Sequence, residues 1–171
     1  MKISTRQGDK GYSSLFNGKR LKKTDFIFEA LGDLDELNCF LGIAKISVLK
    51  NSGESEAKIL ENIQLDIYRI LSIVGNEMNV PKNIRDIDLK DVLYLEQQIE
   101  KYESSAGDLS AFVKPGENEA STNLHVARAV CRRAERKLFL LNEKSFKISE
   151  YILQYINRLS DLLFIMSFRF I

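Results

Sequence analysis

Apolar residues recur at helical spacing along most of this chain, and breaks rich in Gly, Pro and Ser separate the segments they mark. Residues 118–142 carry the strongest pattern. Turned at 100° per residue, Ala127, Val130, Cys131, Ala134, Leu138 and Leu141 share one face, which is a core stripe. An earlier segment, capped by Asp25 or Thr24 and reaching about Val48, repeats Phe26, Ile27, Ala30, Leu31, Leu34, Leu37, Asn38, Leu41, Ile43 and Ala44. Gly32 and Gly42 inside it each cost about 1 kcal/mol of helix stability against Ala, so tight helix contacts are the expected reason for them. The spacing predicts further helices over 54–78, 89–103 and 148–170. Pro81 follows the second and residues 104–107 break the third. No segment has a convincing strand period, and no repeat or low-complexity tract is present. The pattern predicts one all-α domain, an up-and-down bundle of five helices over residues 24–171.

Residues 1–23 differ from the rest. Gly8, Gly11 and Gly18, with hydroxyls and cations between them, predict a loop. Such a loop can turn backbone N–H groups inward as an anion nest, with Thr5, Ser13 and Ser14 as extra donors. Alternatively it is a flexible basic arm. It is not a Walker A loop, because Arg20 follows Gly18-Lys19 where Ser or Thr is required, and Ser13 stands in place of the first Gly. No apolar strand precedes it, which excludes a dinucleotide fingerprint.

Charge adds the candidate chemistry. Arg128, Arg132 and Arg136 recur every four residues, on the far side of their helix from the core stripe. With Arg133 and Lys137 they face only one acid, Glu135. The guanidinium fork suits phosphate and carboxylate oxygens, so a polyanionic small molecule or an acidic subunit face is the natural partner. A solvated charged face is the plain alternative. Asp33, Asp35 and Glu36 form an acidic patch that is either solvated or meets an Arg elsewhere. A formal net charge of +1 leaves no footprint for nucleic acid or an anionic membrane. Cys39 and Cys131 read as small buried hydrophobes, not as a disulfide or metal pair. No signal peptide or membrane-spanning run is read in the sequence, so a soluble, cytoplasmic protein is expected. Phe112 is expected as a core plug or a pocket wall.

Taken together, the motifs resemble a known family. They are Thr5-Arg6-x-Gly8-Asp9-x-Gly11-x-Ser13 with Gly18, Gly32-Asp33-x-Asp35-Glu36-Leu37-Asn38, Phe112-x-x-Pro115-Gly116, His125-x-x-Arg128-x-x-x-Arg132-Arg133-x-Glu135-Arg136, and Asn157-Arg158-Leu159-Ser160-Asp161. In that order they look like the PduO-type ATP:cob(I)alamin adenosyltransferases, over nearly the whole chain. Glu117 stands where many members have a second Gly, Arg6 where many have Lys, and the sequence ends without the usual tail.

The resemblance implies a cobalamin-adenosyltransferase-like (ferritin-like) bundle assembled as a homotrimer, with active sites between subunits. Residues 1–23 would form an ATP-binding loop. By motif match, ATP would contact Thr5, Arg6, Gln7, Gly8, Ser13, Ser14, Lys23, Arg132, Arg133, Ala134, Glu135, Arg136 and Asn157. Asp35 would pair with Arg128 across the interface, and Phe112 would keep the lower corrin face free of a ligand. Arg128, Arg132, Asp35 and Phe112 are thus the implied catalytic residues. The implied reaction is attack of cob(I)alamin on the ribose C5′ of ATP, with Mg²⁺ bridging phosphate oxygens and triphosphate leaving. A flavoprotein reductase is an implied partner. A helical ATP-binding module without catalysis is the alternative. A ferritin-like di-iron centre is set aside, since it needs Glu-x-x-His pairs on two helices and His125 is the one His in the sequence. His125 itself is expected to be structural or a hydrogen-bond partner.

Overall fold

The structure is a computed structural model that describes residue 4, residues 6–105 and residues 114–171. Five helices carry the fold: α1 (Phe26–Lys50), α2 (Glu54–Gly75), α3 (Leu89–Glu103), α4 (Glu119–Leu141) and α5 (Glu150–Ser167). Side chains cap four of them. Asp25 accepts from Ile27 N–H, Asp88 from Lys90 N–H, Asn118 from Ala120 N–H and Ser149 from Tyr151 N–H, each satisfying a donor that the helix start leaves open.

The helices pack side by side in the order α2, α1, α4, α5, α3. Tyr155 on α5 donates to Asp66 on α2, and Tyr102 on α3 donates to Glu56 on α2, so hydrogen bonds join the outer helices as well. The six core-stripe residues expected on α4 are all buried. Apolar residues at helical spacing are also buried on α2 (Ile59, Leu60, Ile63, Ile67, Ile70 and Val74, with Leu71 half-buried) and on α5 (Ile152, Tyr155, Ile156, Leu159, Leu162, Leu163 and Met166).

Several details differ from the sequence pattern. Residues 12–22 contain a small antiparallel hairpin, β1 (Tyr12–Ser14) with β2 (Arg20–Lys22), in which Ser13 faces Leu21. Three-residue strands are too short to show a period, so composition reads them as loop. Helix α2 ends at Gly75 and not at residue 78, because Glu77 and Met78 adopt left-handed φ of 51° and 66°. The Met78 N–H turns back to Ile73 O, closing the helix end. After α4 a π-helical turn, Asn142–Phe146, precedes α5 and ends at Lys147 with φ 44°. Phe26 and Ile43 on α1 and Leu93 on α3 follow the apolar spacing yet stand exposed. Cys39, expected inside, is also exposed, while Cys131 is buried and donates to Ile156 O. A Cβ on Gly42 would touch the Gln64 amide at 3.3 Å, but Gly32 faces open space among the described residues, so tight packing within the chain does not explain it.

Candidate functional site

The leader is seated on the end of α2. Leu15 is buried, Phe16 N–H donates to Gly75 O at 3.0 Å, and the Phe16 ring lies against Gly75. Lys19 and Asn17 both reach the Glu77 carboxylate. The left-handed turn at 77–78 therefore places an acid where the hairpin docks. Within the leader, Gln7, Gly8, Tyr12, Ser13, Ser14 and Arg20 line a cavity of about 170 Å³. Arg20 donates to Gln7 O at 3.0 Å and lies over the Tyr12 ring. The Lys23 amine crosses Gly8 so closely that a Cβ there would meet it at 2.9 Å. Gly8 thus admits a cation beside the backbone, as an anion cradle requires. Arg6, at φ 57°, is exposed nearby in sequence. Thr5 lies outside the described residues, as does Phe112. Arg20 was not among the expected contacts; the signal for it, a cation at the close of a Gly-bounded turn, served only to reject a Walker A loop.

On α4 the expected concentration of positive charge is partly neutralised from α1. Arg133 pairs with Asp33 at 3.2 Å and with Glu36, and Lys137 pairs with Glu29 at 2.9 Å. The acidic patch does meet an Arg, as one of its two readings held. Arg133, expected at ATP, is occupied by these carboxylates, and Ala134 is fully buried in the core. Arg132 and Arg136 remain exposed, with no carboxylate partner among the described residues; Arg136 donates to Arg132 O.

Glu135 accepts from the Asn157 amide at 2.8 Å. Both line a cavity of about 260 Å³ between α4 and α5, with Phe139, Glu150, Leu153, Gln154 and Arg158. Among the described residues, the leader cavity and this one have no lining residue in common.

Arg128 is half-buried. Its Nε has no hydrogen-bond partner among the described residues, and its guanidinium lies 5.7 Å from the Phe164 ring centre. Asp35 is exposed on α1. Burial, and secondarily the Arg128 charge, hold the His125 pKa below its ordinary value. The ring packs edge-on to Phe164, with Nε2 3.2 Å from the Ser167 hydroxyl. That is the structural role expected of it. Phe164 beside Arg128, with Phe168 edge-on to it at 5.2 Å, is an aromatic wall that the apolar run at the end of α5 concealed.

Among the described residues no helix is long and apolar enough to cross a membrane. The family description "Cobalamin adenosyltransferase" matches residues 3–170. The mouse corrinoid adenosyltransferase MMAB is 39% identical, with 95% of this chain and 70% of the mouse protein covered. A corrinoid adenosyltransferase of Bacillus subtilis is 37% identical, with 96% and 83% covered. Among solved structures, a variant PduO-type ATP:corrinoid adenosyltransferase from Lactobacillus reuteri, complexed with cobalamin and ATP, superimposes with a TM-score of 0.85 at 29% identity, covering 97% of this chain and 91% of that one. A sequence match spanning nearly every residue, on a fold shared just as widely, makes this chain a member of the cobalamin adenosyltransferase family.

Proposed function

We infer that the chain transfers the 5′-deoxyadenosyl group of ATP to the Co(I) centre of a corrinoid. The observation that carries the site assignment is the Arg132 and Arg136 pair, left unmatched by carboxylates beside the Glu135–Asn157 contact. Both electrons of the new Co–C5′ bond come from Co(I). The C5′–O bond breaks with its pair going to the triphosphate, and cobalt ends formally as Co(III). Co(I) is already a strong nucleophile, so the protein supplies position and charge. Holding C5′ in line with cobalt is worth up to about 7–11 kcal/mol. Arg132, Arg136, Lys23 and the leader N–H groups suit the charge that grows on the leaving triphosphate.

Mg²⁺ would enter with ATP and would offset charge on its phosphates. Among the described residues no group of three or more His, Cys, Asp or Glu stands ready to hold a resident cation. Phe112 excludes water and ligands from the lower corrin face, which eases reduction to Co(I); a flavoprotein reductase is the partner that would supply those electrons. The leader of one subunit and the Arg helix of another would complete each active site of a homotrimer. The two separate half-cavities support this, each being too small alone for ATP with a corrinoid. The reducing, ATP-supplied cytoplasm suits both reactants.

The test mixes protein, ATP, Mg²⁺ and chemically reduced cobalamin, and follows loss of the Co(I) absorbance. Adenosylcobalamin forms on this reading; normal ATP binding without it identifies a binding module instead. In the same assay Arg132→Ala is expected to lower kcat on the order of 10²–10³-fold with an unchanged circular dichroism spectrum. Unchanged turnover removes Arg132 from its role.

A further inference from the structure

Asn157 does not stand alone at the α4–α5 cavity. Its Nδ2 donates to Glu135 at 2.8 Å, and its Oδ1 accepts from Arg158 Nη1 at 2.7 Å. The Arg158 Nε in turn donates to Glu96 on α3 at 2.8 Å. Four side chains on three helices therefore form one ordered chain of donors and acceptors. Its polarity is fully determined. Arg has only donors and a carboxylate only acceptors, so the amide between them has one allowed orientation. Turned over, Asn157 would set its oxygen against the Glu135 carboxylate and its NH₂ against a guanidinium, and both contacts would repel. Glu135 alone biases the amide; Arg158 makes the choice two-sided.

The consequence lies in what faces the cavity. The second Nδ2 hydrogen is a donor, and Glu135 Oε2, which has no hydrogen bond among the described residues, is an acceptor beside it. A neighbouring donor and acceptor complement a nucleoside, whose base edge and ribose offer both. Arg158 also lines the cavity, and the double variant below separates action through this pair from direct contact with the nucleotide. The geometry points to Arg158, braced by Glu96, as a positioning residue that fixes the Asn157 amide for the nucleoside end of ATP.

This inference rests on the ATP site proposed above, and the experiment separates the two. Steady-state kinetics are run on Asn157→Ala, Arg158→Met, the double variant and Glu96→Gln, varying ATP and reduced cobalamin independently. Arg158→Met is expected to raise KM for ATP about tenfold, the worth of one good hydrogen bond, with kcat and KM for cobalamin within about twofold. The double variant should be no worse than Asn157→Ala, because Arg158 acts through Asn157. Glu96→Gln keeps an oxygen for Nε and should stay within about twofold of the parent. Arg158→Lys has one point donor in place of the fork and should fall between parent and Met; it carries the test if the Met variant does not fold.

An Arg158→Met protein with unchanged KM for ATP overturns the brace. So does full additivity in the double variant, which would mean Arg158 acts independently. Equal losses toward both substrates with a lowered unfolding temperature overturn it too, by showing a merely structural role. If Asn157→Ala itself leaves KM for ATP unchanged, the ATP-site assignment fails and the brace falls with it.

Discussion

Gly75 sits in the last turn of α2 with the Phe16 ring against its Cα. A Cβ there would lie 2.4 Å from the ring, far inside contact distance. The ring belongs to an exposed side chain and can swing away, so the bundle itself need not distort. Ala is also the better helix former by about 1 kcal/mol. The two effects act on different things: the helix gains while the seat of the leader is lost. Gly75→Ala is therefore expected to leave the unfolding temperature equal or higher, yet to raise KM for ATP several-fold. A lowered unfolding temperature with an unaltered KM would show that Phe16 serves the core and not the leader. This contact explains why that glycine escaped the sequence reading. Helical spacing describes one element at a time, whereas Gly75 is needed by a residue 59 positions earlier.

At the scale of elements, helix existence was legible because burial is periodic: every apolar face of α2, α4 and α5 had to find a partner. The start of α1 was legible from its cap Asp25, α4 begins beside Asn118 as predicted, and α3 was bounded correctly at both ends. Helix α5 runs Glu150–Ser167 and not 148–170, because Ser149 caps its start and a 3₁₀ turn, Phe168–Phe170, replaces its last residues. The misreadings, by contrast, are tertiary. Residues 76–78 leave the helix to seat the hairpin, and Arg133 and Lys137 were counted as open charge because their partners Asp33, Glu36 and Glu29 lie on α1. Spacing along one helix cannot reveal a neutralising face on its neighbour.

The junction of α2 with α3 gives a prediction of its own. Glu56 is buried at 4% exposure. Desolvation raises its pKa, but hydrogen bonds from its own backbone N–H, the Tyr102 hydroxyl and Ser55 outweigh this and hold it below 4.5. Asp91 behaves alike, with burial opposed by Arg69 and Arg85. A carboxylate depressed in the folded state stabilises above its unfolded pKa, and that contribution is lost as pH falls through the folded value. The unfolding temperature should thus fall as pH is lowered from about 5 toward 3, the range where such carboxylates titrate. Glu56→Gln should lower it at neutral pH, at a cost of about 1–3 kcal/mol, and flatten the acid slope. An acid slope as steep as the parent's would clear Glu56 of this role.

On the scale of the whole molecule, the described residues leave complementary groups unmatched in one chain. Arg128 has a shielded Nε without an acceptor, and Asp35 projects from α1 into solvent. A shielded Nε–H without an acceptor costs free energy that nothing among the described residues of one chain recovers. An exposed carboxylate on a second copy is a chemically matched acceptor. The exposed Ile43, Ile46 and Leu49 on the same helix as Asp35 supply apolar area for such a contact. Assembly and activity should then depend on the same pair. Asp35→Arg places two cations together and is expected to reduce both the assembled fraction in sedimentation velocity and the turnover of reduced cobalamin. Arg128→Asp should do the same from the other side. In the charge-swapped double variant attraction returns with reversed polarity, so assembly should recover more fully than turnover, because Arg128 also stands against Phe164 where Asp cannot reach. If the double variant assembles no better than the worse single one, Asp35 and Arg128 do not face each other.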